Sequence, residues 1–123
     1  MADKVAPAAA DLLQRVYEAF NRREFERVLS MMHADVDWPN ALEGTRLHGP
    51  DAVREYWKRQ FESLESTVEP KALTSEPDGR IGLKVHQVVR DKSGKIVVDQ
   101  MVEHVYAIRD GLIASMEIRN PKN

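Results

Sequence analysis

The sequence predicts an α+β fold: one curved antiparallel sheet with helices across one face. Three observations carry that reading. Apolar residues recur at helical spacing only in the first half of the chain, up to about Leu64. From about Thr67 the pattern is extended and rich in β-branched residues. Asp110-Gly111 then cuts a long apolar run in two, which is the strongest short-range signal for a hairpin. Helices first and strands afterwards imply segregated elements rather than alternating ones.

Taken in order, Met1 to Pro7 is expected to be a flexible tail. A helix begins at about Ala8, with Leu12, Leu13, Val16, Tyr17 and Phe20 on one face and Asp11 in its first turn. Asn21-Arg22-Arg23 ends it. A short second helix spans about Glu24 to Met32, with Phe25, Val28, Leu29 and Met32 as its apolar stripe. Val36-Asp37-Trp38 reads as a short strand stopped by Pro39, and Asn40 to His48 as a loop. Gly49-Pro50-Asp51 announces a third helix, since proline suits the first helical position and aspartate the first turn. Val53, Tyr56, Trp57, Phe61 and Leu64 form its apolar side. A weak strand runs from about Thr67 to Ser75, interrupted by Pro70, and Pro77-Asp78-Gly79 is a turn. A strand from about Ile81 to Arg90, a loop over Asp91 to Lys95, a long strand from about Ile96 to Arg109 and a last strand from Leu112 to Arg119 complete the chain.

The 123 residues make a single domain, residues 1–123, long enough for a real core. A net charge of -2 without a basic stripe argues against nucleic acid. The absence of cysteine excludes disulfides and thiolate chemistry. No apolar run approaches the roughly 20 residues that span a bilayer, and the start lacks the order of a signal peptide. The expectation is a cytoplasmic protein with no membrane association. No histidine pair has a metal-like spacing with a third ligand, so neither metal nor cofactor is expected.

Strand faces alternate with period two. Gln100, Val102, His104, Tyr106 and Ile108 therefore share one face of the long strand, directed at the helices. Asp99, Met101, Glu103, Val105 and Ala107 share the other, together with either Leu83, Val85 and Val89 or Lys84 and His86 from the preceding strand. An outward face this apolar predicts a two-fold homodimer through the sheet.

Three stretches, Tyr17-Glu-Ala-Phe-Asn-Arg-Arg-Glu24, Leu47-His-Gly-Pro-Asp-Ala-Val-Arg-Glu-Tyr-Trp57 and Tyr106-Ala-Ile-Arg-Asp-Gly-Leu-Ile113, occur in an order that resembles the nuclear transport factor 2-like superfamily, in its SnoaL-like and ketosteroid-isomerase-like branch. The resemblance covers about Ala10 to Asn120. It implies a cone, a cystatin-like α+β roll whose bent sheet wraps the helices around an apolar pocket, and it implies pairing back to back through the sheet. It does not settle function, because members include isomerases, cyclases, dehydratases and proteins with no known reaction. The isomerase pattern departs at each position. Its general-base aspartate aligns with Asn40, and an amide cannot remove a proton. Its tyrosine aligns with Val16, one residue before Tyr17. Its protonated aspartate aligns with His104.

His104 is thus the leading candidate for chemistry, because imidazole titrates near neutral pH and can donate or accept. Asn40 is a second candidate, to orient a ligand carbonyl or partner His104; its plain alternative is a turn cap. Val16, Tyr17, Phe20, Trp38, Tyr56, Trp57, Tyr106 and Met116 are expected to line the pocket, the aromatics also serving as core. His33, His48 and His86 read as surface or helix-end residues. Three functions stay open: cofactor-free acid-base chemistry of the isomerase, cyclase or dehydratase kind on a small, mostly apolar carbonyl compound; binding of a small apolar ligand without chemistry; or a dimeric interaction module. A pocket smaller than a small ligand would favour the last.

Overall fold

The structure, a computed structural model, describes residues 6–40 and 43–120. The tail expected at the start lies outside these up to residue 5. The described residues form α1 (Pro7–Asn21), α2 (Phe25–Ser30), β1 (Met32–Asn40), β2 (Thr45–His48), α3 (Pro50–Ser63), β3 (Leu64–Ser75), β4 (Ile81–Asp91), β5 (Ile96–Arg109) and β6 (Leu112–Arg119). Pro7 is helical rather than part of a tail: its fixed φ and missing N–H suit a first turn. Asp11 consequently sits one turn further in, where it pairs with Arg15 at 3.0 Å.

The strands build one curved, open sheet in the order β2-β1-β6-β5-β4-β3. Every ladder is antiparallel except β1 with β6, which is parallel. Register shifts at Pro70/Ala72, Val89/Arg90 and Ala107/Ile108 mark bulges, and a bulge bends its strand. β1 is longer than the sequence suggested and runs through Pro39. That residue pairs only with Arg46 of β2, beyond the last recorded pair of β1 with β6 at Asp37 and Ser115, so no ladder bond to β6 is lost. The segment expected to be a loop contains β2, whose four residues lack an apolar alternation to announce them.

The helices cover the concave face. Leu13, Val16 and Tyr17 of α1, Val28 of α2 and Val53 and Trp57 of α3 pack with Val36, Leu83, Val85, Tyr106 and Ile113 of the sheet in one core. Leu83 and Val85 therefore point inward, and the alternative set, Lys84 and His86, points outward. The outward face is less apolar than expected. Val105 and Glu103 are 1% and 4% exposed, because Arg119 reaches across to Glu103 at 2.5 Å and to Glu76 at 2.9 Å. Gly82, opposite Val105, leaves the room that the side chains of Thr74 and Glu76 occupy. Met101 remains 43% exposed.

Candidate functional site

The inner cavity is assembled from helices and strands together. α1 contributes Val16 and Tyr17 from its buried stripe and the half-buried Phe20. The C-terminal end of that helix is fixed to β3: Asn21 Nδ2 donates to the Val68 carbonyl at 2.7 Å while Asn21 Oδ1 accepts from the Val68 N–H at 3.0 Å. Arg23 adds a bond to the Ser66 carbonyl at 2.6 Å and lies 4.8 Å over the Phe61 ring. β5 contributes His104 and Tyr106, two residues apart and so on one face. β1 gives Trp38, α3 gives Tyr56 and Trp57, and β6 gives Met116. The indoles of Trp38 and Trp57 meet edge to face at 5.8 Å.

At the back of this cavity three polar groups form a buried chain. The Tyr17 hydroxyl lies 2.6 Å from Nδ1 of His104 and 2.7 Å from the Tyr106 hydroxyl. Burial, which disfavours the charged form, lowers the His104 pKa to about 4 and raises those of Tyr17 and Tyr106. Near neutral pH all three groups are therefore uncharged, and the imidazole can donate from one nitrogen and accept at the other.

The cavity has a volume of about 90 Å³. Larger hollows lie outside it, and two of them border candidate residues. One, of about 530 Å³, runs between α1 and the bend of β3 at Pro70, with exposed Gln14, Glu18, Glu69 and Lys71 on its rim. The smaller cavity is the better candidate site, because it holds the buried imidazole and the larger one holds only a flank of Tyr17. The other hollow, of about 500 Å³, is lined by Asn40, Thr45 and Arg46.

All the pocket residues read from the sequence except Asn40 are gathered around the inner cavity. Asn40 lies beyond Pro39, where its Oδ1 accepts the Glu43 N–H at 3.1 Å in a turn. The tyrosine displaced by one position from the isomerase pattern, Tyr17, is the one that reaches His104. The sequence reading overlooked Gln60, Ser66, Gln87 and Ile118, which also line the cavity. Gln87 carried a readable signal: it interrupts the inward alternation Leu83, Val85, Val89 with a polar side chain, which now sits 3.5 Å from Ser66. Among the described residues no group of His, Asp and Glu could hold a metal ion. No helix among them is long and apolar enough to cross a membrane.

A model of the SnoaL-like domain family matches residues 13–116. No curated protein matches the sequence. Solved structures are similar throughout. An NTF2-like protein of unknown function from Burkholderia pseudomallei superposes with a TM-score of 0.81 at 21% identity, over 94% of this chain and 92% of its own. TerC, co-crystallised with polyporic acid, gives 0.80 at 22% identity, over 93% and 92%. A candidate polyketide cyclase from Xanthomonas campestris gives 0.74 at 26% identity, over 90% and 88%.

Proposed function

The chain belongs to the SnoaL-like domain family, and from that premise we propose that it binds a small, mostly apolar ligand in the inner cavity, with His104 meeting the ligand's polar atom. The observation that carries this reading is the buried His104–Tyr17–Tyr106 chain in a cavity otherwise lined mostly by aromatic and aliphatic side chains, with Gln60, Ser66 and Gln87 among them. An apolar cavity with a few convergent polar groups and a perturbed titratable residue is the usual form of a ligand site. The volume of about 90 Å³ is below the roughly 300–1,000 Å³ of drug-sized sites. It is also below the roughly 150 Å³ apolar cavity that admits benzene, so size alone counts toward the interaction module, and the buried polar chain is what favours a ligand. TerC with its polyporic acid and the candidate cyclase lend the reading support from similar folds.

Cofactor-free acid-base chemistry is the catalytic form of this proposal. Two features weigh toward binding instead. A side chain with a pKa of about 4 is a weak base at neutral pH. Among the described residues no carboxylate lines the cavity to replace it. Native mass spectrometry of gently purified protein should show a retained small molecule. His104→Ala should then abolish turnover in an enzyme but leave much of the affinity in a binder. If that substitution changes neither, His104 is not the site.

Pairing of two copies through the outer sheet face is a separate proposal. The exposed Met101 supports it, whereas Leu83 and Val85, packed in the core, contribute nothing.

A further inference from the structure

We propose that the inner cavity takes a single-ring carbonyl compound whose oxygen accepts a hydrogen bond from Nε2 of His104, and that Tyr106 and Tyr17 are positioning residues that keep the proton on that nitrogen. The proposal rests on the pocket reading above and specifies its ligand.

The direction of the hydrogen bonds decides the tautomer. Tyr106 is 2% exposed, and among the described residues its hydroxyl meets only Tyr17, at 2.7 Å. If Tyr17 donated to Tyr106, the Tyr106 proton would have no acceptor. An orphaned buried donor shifts an equilibrium by roughly ten- to a hundredfold. Tyr106 therefore donates to the Tyr17 oxygen. The Tyr17 proton is then committed to its other neighbour, Nδ1 of His104 at 2.6 Å. That bond needs Nδ1 bare, and a neutral imidazole with a bare Nδ1 carries its proton on Nε2. Nε2 has no hydrogen-bond partner among the described residues. It is also absent from the sealed, unsatisfied atoms, of which there are none, so it opens into the cavity that His104 lines. The two tyrosines thus turn His104 into a directed donor rather than a base.

The shape of the cavity sets the rest of the ligand. Phe20, Trp38, Tyr56 and Trp57 offer flat walls suited to an aromatic ring. About 90 Å³, below the roughly 150 Å³ of an apolar cavity that admits benzene, sets one ring as the upper limit and excludes a fused system. A carbonyl oxygen only accepts, so it matches the Nε2 proton, and Gln60, Ser66 and Gln87 are left to meet any further polar atom of the ligand.

The test uses the full chain labelled with ¹⁵N-histidine, with ¹³C-carbonyl acetophenone as the single-ring probe and 17-hydroxyprogesterone as the large one. In the free protein at neutral pH, His104 should show an unprotonated Nδ1 and a protonated Nε2. Tyr17→Phe should erase that preference, whereas Tyr106→Phe leaves Nδ1 as the one acceptor for the Tyr17 proton and should keep it; a protonated Nδ1 in the second variant overturns the assignment even if the first does not fold. Acetophenone should shift the Nε2 resonance, and its carbonyl carbon should move downfield on binding. His104→Leu should lose the carbonyl shift while binding persists, and the steroid should bind at least tenfold more weakly. A protonated Nδ1 in the free protein overturns the assignment of the tyrosines. Tight binding of the steroid without acetophenone overturns the single-ring ligand but leaves the pocket reading standing. If neither ketone perturbs His104 and a co-purified ligand contacts none of the cavity residues, both readings fall together.

Discussion

His104 enters the fold as a neutral imidazole, and that ties stability to pH. Its pKa falls from 6.5 to about 4 on burial. Between those values the unfolded chain binds a proton that the folded one does not. The stability held by the neutral group is therefore fully present above about pH 6.5 and is lost as pH falls toward about 4. A shift of this size corresponds to about 3 kcal/mol. Glu26, Asp78 and Asp91, whose pKa values are lowered by their hydrogen bonds, lose stability at still lower pH, but they are exposed and common to any variant. His104→Gln keeps an acceptor for Tyr17 and removes the titration. Urea unfolding at pH 7 and pH 4.5 should show wild type losing about 2 kcal/mol more than the variant. Parallel losses would mean that His104 is solvated and not buried neutral. At this scale the sequence was most informative on β5, where period-two alternation alone put His104 and Tyr106 on the pocket face. It said less about Asn40, whose position depends on how β1 passes Pro39, and nothing about the direction of the hydrogen bonds, which arises only when α1 and β5 meet.

Elements were legible in proportion to the strength of their local signals. β5, β6 and the turn between them fall at the residues the sequence indicated, because Asp110-Gly111 permits positive φ at both turn positions; the observed values are 57° and 75°. α3 begins at Pro50 as its Gly-Pro-Asp start announces. β2 was missed and β1 was cut short, since both gain their strand character from each other and from β6 rather than from any pattern of their own. The hairpin gives a direct test. A Cβ at Gly111 would meet nothing within 4 Å, so any cost of substitution there is backbone strain alone. A β-branched residue tolerates that conformation worst. Gly111→Val should therefore destabilise the fold by about 1–3 kcal/mol, read as a lower melting temperature. Gly111→Asn, which accepts positive φ, should recover most of the loss. Equal melting temperatures for the glycine and valine forms would show that the turn does not hold this backbone.

On the scale of the molecule, the helices take up one face of the sheet and leave the other to the charged network around Glu103. The case for a dimer through that outer face is accordingly narrower than the sequence pattern suggested. Two of the residues expected there, Val105 and Glu103, are covered within the chain, and Leu83 and Val85 of β4 belong to the core. Met101 is left, beside His86, which bonds Asp99 at 2.6 Å. An interface with few exposed apolar side chains in a charged surround fits a modest, salt-sensitive association better than an obligate one. Sedimentation at micromolar concentration should give twice the chain mass at low salt, and the chain mass as salt rises. Val105→Glu is not a test of this interface, because it would place a charge inside the monomer. Met101→Glu and Met101→Arg are tests: the site is exposed in the monomer, so each should fold. A charge of either sign, desolvated at the centre of a two-fold patch and facing its own copy, should dissociate the dimer. A dimer that survives both substitutions with an unchanged salt response is built from another surface.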